Sequence, residues 1–192
     1  MASFSVSTNM YLRQVYAPNR GLCVKANRAD ATNKTLISAD SSALGKAIKT
    51  IGSFNFSDDS KLNKDKFSKT LKSFTDAYNY TISSSNTNKE GKIAITSKKI
   101  KQLTSKYEDE LKSLGISVKD GYMSISSTAS TNISPDKYEE LFGKDSEYMK
   151  ELSKYAKKMN RTINYSIWLL KILIYIEKYS LMSAKLREYF SV

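Results

Sequence analysis

The sequence predicts a mainly α protein, a small helical bundle with one short β-hairpin at about 116–125. Three observations carry that prediction. Apolar residues recur at helical spacing through two long central segments. Only 2 Pro and 7 Gly punctuate 192 residues, which suits long helices better than a turn-rich β fold. One Asp-Gly pair, Asp120-Gly121, stands between two short runs of period-two alternation.

In chain order, residues 1–39 read as a partly ordered N-terminal arm, polar and weakly periodic, with a mobile tip. Within it Tyr11–Tyr16 suits a short strand or a helical turn, and Ala17-Pro18-Asn19-Arg20-Gly21 is a turn signal. A helical domain with the hairpin is expected over 40–162. Asp40-Ser41-Ser42 reads as the cap of a short helix carrying Ala43, Leu44, Ala47, Ile48 and Ile51, with its end near Gly52. Phe54 and Phe56 follow as extended-chain anchors, since burial is the commoner fate of Phe.

The centre is the best specified part. Phe67, Leu71, Phe74 and Tyr78 share one helix face, with Asp58-Asp59-Ser60 as cap candidates and Ser83–Asn88 as the expected end. Ile100, Leu103, Tyr107, Leu111 and Leu114 mark a second helix, for which Thr96 or Ser97 is the natural cap. Gly115 suits the left-handed residue that closes a helix, with Ile116 folding back on Leu111. Ile116-Ser117-Val118 and Tyr122–Ile125 then form the hairpin, which should lean on the helix before it because two strands alone are marginal.

The block FTDAYNYTISS (Phe74–Ser84), the Lys- and Ser-rich helix after it, and LGISVKDGYMSIS (Leu114–Ser126) resemble the C-terminal region of flagellar filament capping proteins. That family is also called hook-associated protein 2, and the likeness spans about Phe67–Ser126. Its pattern is an aromatic-rich helix ending in Tyr-Asn, a helix leading into a Leu-Gly-Ile strand, a Gly turn and a short apolar strand. Phe74, Tyr78, Asn79, Leu114, Gly115, Ile116, Gly121 and Met123 occupy the matching places. The resemblance implies a non-enzymatic structural or assembly protein, extracellular and flagellum-associated, acting on other subunits, either copies of itself or flagellin-like ones. Family members carry a coiled-coil segment at each end. Without the resemblance the expected location is the cytoplasm.

After a polar linker, Ser126–Asn132, the run Ser134-Pro135-Asp136 starts a helix: Ser as cap, Pro first, Asp where the dipole favours it. Tyr138, Leu141 and Phe142 form its apolar side and Gly143 ends it. Asp145 or Ser146 caps the next helix, with Tyr148, Leu152, Tyr155 and Met159 as its stripe.

The tail, 163–192, changes character. Ile163–Ile176 reads INYSIWLLKILIYI, apolar on almost every side, but Lys171 and Glu177-Lys178 argue against a membrane span. Three readings stand. The first is a core helix packed on the domain. The second is a partner interface built on Ile163, Ile167, Trp168, Leu170 and Ile174. The third is a peripheral membrane helix, which Trp168 and the neighbouring lysines suit.

The net charge of +12, nearly all of it Lys, reads first as solubility and second as a basic surface for nucleic acid or anionic membrane. The 13 tyrosines fall mostly on apolar stripes, so packing claims them ahead of stacking on nucleic acid. There is no histidine, so the commonest general base and metal ligand are missing. Cys23 reads as a small apolar residue, and the acidic pairs Asp58-Asp59 and Glu139-Glu140 as helix-start charges. No catalytic, metal or cofactor-binding set is expected. Met1–Met10 does not resemble a cleavable secretory signal.

Overall fold

The computed structural model describes residues 10–58, 60–88, 91–126 and 135–189. The expected mobile tip, Asp59, the 127–132 linker and the Ser134 cap lie outside them.

The fold is a helical bundle with one two-stranded antiparallel hairpin. Short helices α1 (Met10–Val15) and α2 (Lys25–Ala29), joined through a 3₁₀ turn, lead into α3 (Asn33–Gly52). Thus residues 10–39 are built into the body of the domain: Leu12, Val15, Tyr16, Cys23 and Ile37 are all buried. The helix expected to begin at Asp40 begins two turns earlier. Thr32 is its cap, with Oγ1 accepting from the Thr35 amide at 3.3 Å. Asp40 is therefore a buried mid-helix residue and not a cap.

Helix α4 (Lys61–Ser85) is the long central rod, capped by Ser60, whose hydroxyl accepts from the Asn63 amide. Its stripe of Phe67, Leu71, Phe74 and Tyr78 lies in the core. Phe54 and Phe56 pack on it as anchors, their rings 5.1 and 5.5 Å from that of Phe67. Phe67 in turn meets Tyr138 edge-on at 4.5 Å, a favoured aromatic geometry.

The next segment differs from its expectation twice. Helix α5 (Gly91–Lys106) starts before Thr96 and Ser97, so neither is a cap. Their hydroxyls are spent inside: Thr96 donates to the Lys92 carbonyl at 2.7 Å, and Ser97 pairs with Ser85 at 2.7 Å. Tyr107 then leaves helical geometry (φ −104, ψ 22), and a separate α6 (Glu108–Ser113) follows. The Tyr107 ring sits against that of Tyr148 at 5.1 Å.

Gly115 closes α6 at φ +74, and both Leu111 and Ile116 are buried beside it. Strands β1 (Ile116–Lys119) and β2 (Tyr122–Ile125) pair with Ile116 opposite Ile125 and Val118 opposite Met123. Asp120 and Gly121 take φ of 54 and 81, the positive angles a tight hairpin turn demands. The hairpin leans chiefly on α4. The Asn79 amide donates to the Met123 carbonyl at 2.8 Å and accepts the Met123 amide at 2.9 Å, so one side chain mimics a third strand.

Helix α7 (Pro135–Phe142) buries Tyr138, Leu141 and Phe142 as its spacing requires. Ser146, accepting from the Met149 amide, then opens α8 (Glu147–Tyr189). The expected division at 163 does not exist, because α8 is one helix of 43 residues, about 65 Å long. Its first part packs on α3, α5 and α7 through Tyr148, Leu152, Met159 and Ile163. Asn160 donates to the Ser38 carbonyl at 2.8 Å, and Ser38 donates to Asn164 at 2.6 Å. Beyond Ile167 α8 runs past α3, so the segment read as a core helix leaves the core after its first turn.

Replacing Asn79 with Ala removes both of its hydrogen bonds to β2 and should lower stability by about 2 kcal/mol. Urea unfolding would show this as a lower midpoint at unchanged slope. A second expectation concerns alkaline pH. Burial pushes the Tyr78 and Tyr138 hydroxyls up to about 12, from an ordinary 10.0. Above pH 10 the unfolded chain releases protons that the folded chain keeps, so unfolding becomes easier. The contribution is whole below pH 10 and is lost as pH climbs towards about 12. Denaturation midpoints followed across that window, with tyrosinate absorbance as the second readout, check it.

Candidate functional site

Helix α8 places its residues in columns that repeat every seven positions. In the docked part, Met149, Leu152, Ala156, Met159 and Ile163 succeed each other at spacings of three and four, all buried. The columns on the other side hold Glu147, Lys154, Lys158 and Arg161, all exposed. That is an ordinary amphipathic helix.

Past Ser166 those outer columns reverse. Seven residues on from Arg161 stands Trp168, followed in the same column by Tyr175 and Met182. The Lys158 column continues as Tyr165, Ile172 and Tyr179. Only one column stays polar throughout: Lys150, Lys157, Asn164, Lys171, Lys178 and Lys185, every member exposed.

The result is a projecting rod covered in large apolar side chains. Trp168 is 54% exposed, Leu173 63% and Leu181 60%. Tyr165 stacks on Trp168 with centroids 5.8 Å apart, and Tyr175 lies against Tyr179 at 4.3 Å. A soluble monomer rarely shows a continuous apolar surface of more than a few hundred Å². Covering each such side chain is worth roughly 1.5–3 kcal/mol. Among the described residues, no helix is long and apolar enough to cross a membrane.

Of the five residues expected at a partner interface, Ile163 is core (4% exposed) and Ile167 packs on the core's edge. Trp168, Leu170 and Ile174 are on the open rod. Ile163, covered by the bundle, has no surface to offer a partner. The rod also exposes Leu173, Tyr175, Tyr179, Leu181 and Met182, of which Tyr175, Tyr179 and Met182 stand in the reversed columns.

The buried charges are the other arrangement with chemical potential. Arg28 donates to both Asp40 oxygens, at 2.9 and 2.8 Å, and Tyr16 donates to Oδ1 at 2.6 Å. The guanidinium lies over the Tyr80 ring at 4.0 Å and also meets the Leu22 carbonyl at 2.9 Å. Burial alone would lower the Arg28 pKa, but the hydrogen bonds and charge of Asp40 outweigh it and hold the pKa above the ordinary value. Burial, reinforced by the Asp40 charge, raises the Tyr16 hydroxyl far above its own. Tyr16 and Arg28 both donate to Asp40, so the cluster fastens α1, α2 and α3 together.

Cys23 is buried, its thiol raised by that burial and directed at the Arg20 carbonyl. In a groove of about 390 Å³ the Ser97 hydroxyl pairs with Ser85 and Lys101 donates to Asn86. Another of about 320 Å³ lies beside Glu110, Lys137 and Glu140. Among the described residues no cluster of acidic or cysteine side chains is placed to hold a metal ion.

No family model matches the chain, and no curated protein or solved structure matches it.

Replacing Arg28 with Met strands the Asp40 carboxylate in the core and should cost roughly 3–5 kcal/mol. Replacing Arg28 and Asp40 together with apolar residues should recover most of that loss. Thermal unfolding of the single and double variants measures both.

Proposed function

We propose that the protein is a non-enzymatic structural or assembly protein, of the flagellar filament capping kind, that works by protein–protein contact through the projecting part of α8. The observation that carries this reading is the exposed apolar surface from Trp168 to Met182 on a helix seated in a packed domain. A surface of that size is held ready for a partner. The likeness to the capping family supports the same reading. Its residues do mechanical work in this chain: Asn79 grips Met123, Gly115 ends α6, and Gly121 makes the turn. On this reading the protein acts outside the cell, on the flagellum, beside flagellin-like subunits.

A second reading takes α8 as a helix that lies on an anionic membrane. Lys171, Lys178 and Lys185 in one line, with Trp168 among the apolar residues, favour it.

Purified without detergent, the full chain should elute as assemblies larger than 21.7 kDa, or bring flagellin with it from a flagellated host. Trp168→Glu with Ile174→Glu should reduce that association at least tenfold while changing the stability of the domain by no more than about 0.5 kcal/mol, as surface changes do. A strict monomer without flagellin overturns the proposal. If that monomer also binds phosphatidylserine vesicles, and releases them as salt rises, the membrane reading replaces it.

A further inference from the structure

We infer that the partner covering one side of the rod is a second copy of this chain, paired in parallel along Trp168, Ile172, Tyr175, Tyr179 and Met182. The inference rests on the reading of α8 as a contact element and deepens it. These five residues follow one another at spacings of four, three, four and three, the 3.5-residue repeat of a left-handed coiled-coil seam. Seven residues before Trp168 stands Arg161, so the seam opens where the helix leaves the bundle.

The flanks decide the orientation. One flank holds Lys171, Lys178 and Lys185; the other holds Leu169, Ile176 and Ser183. Two antiparallel copies would set lysine flank against lysine flank, three like charges from each side. Two parallel copies set each lysine flank beside the partner's Leu169 and Ile176, where the lysine stems cover apolar surface and their charged ends reach water. The surface is complementary to itself in one orientation only.

The domains permit it. The seam lies on the side of α8 that carries Lys154, Lys158 and Arg161 in the docked part, away from the face buried on α3 and α5. Two parallel copies therefore carry their bundles on opposite outer sides. The area suffices as well. A stable interface takes roughly 800 Å² per partner, and the seam's three aromatic side chains supply roughly 150–250 Å² each when buried, before Ile172, Met182 and the lysine stems are added.

The test places single cysteines in the full-length Cys23→Ala chain, at Tyr175 and separately at Met182. Parallel pairing in register brings each position onto its own copy, so both variants should form disulfide dimers under mild oxidation in the micromolar range. An antiparallel pair can do this at one position at most. Tyr179→Glu in the parent chain should weaken the dimer at least tenfold by sedimentation velocity and leave the unfolding midpoint unchanged. Cross-linking at only one position or at neither, or a dimer indifferent to Tyr179→Glu, overturns the inference. Flagellin co-purification without the cross-links overturns the self-pairing alone and leaves the assembly reading in place. A chain that stays monomeric and is taken up by phosphatidylserine vesicles overturns both.

Discussion

From Glu147 to Tyr189 the chain is a single helix, so the seating of its first part between α3 and α5 decides where the rest can go. That seating is mostly apolar: Leu152, Met159 and Ile163 have almost no exposure. Its last grip is polar, where Asn160 and Asn164 reach Ser38 and Ser41 on α3. A polar grip adds direction to a contact that is otherwise only greasy, because amide and hydroxyl must meet at hydrogen-bonding distance. It stands at the position where the helix loses its cover. The rod is therefore a lever whose origin is fixed on the domain.

What holds α3 in place is correspondingly important, and here the N-terminal segments matter. Arg28 and Tyr16 close on Asp40 in the middle of α3, and Arg28 lies against Tyr80 of α4. Two charges removed from water must be paired with good geometry to be tolerated, and a bidentate guanidinium with a third donor meets that condition. The arrangement specifies how α1 and α2 sit more than it adds stability, since an apolar replacement could fill the same space. It makes residues 10–40 part of the platform that carries α8.

Much of this was legible in the residues. The stripe of Phe67, Leu71, Phe74 and Tyr78, the Gly115 stop, the Asp120-Gly121 turn and the Pro135 start all express local rules, and local rules do not depend on partners distant in sequence. The misses share the opposite character. Asp40 looked like a cap because a short acid before apolar residues usually is one; only Arg28, twelve residues away, makes it a core residue. Thr96 and Ser97 looked like caps for the same reason, until Ser85 on α4 takes one hydroxyl and the helix's own Lys92 carbonyl takes the other. Asp40 and Ser97 were decided by contacts from other elements, which no spacing rule encodes, whereas the Thr96 bond lies within its own helix.

The tail shows a third kind of limit. Read as a block of composition, Ile163–Ile176 could be core, interface or membrane helix, because all three demand apolar residues. Read column by column against the docked part of its own helix, it separates: the buried columns continue, the lysine column continues, and the charged outer columns turn aromatic and aliphatic. A core helix would have needed neighbours on that outer side, and the bundle ends before supplying them. An apolar helix open to water on several sides also gains little from tertiary packing, which is where most helices in proteins find their stability. Whatever covers the outer columns therefore does two things at once: it removes the apolar surface from water and it stabilises the helical state that presents that surface. Partner binding and the order of the rod are one equilibrium, and the direction of the rod is already set by the grip at Asn160 and Asn164.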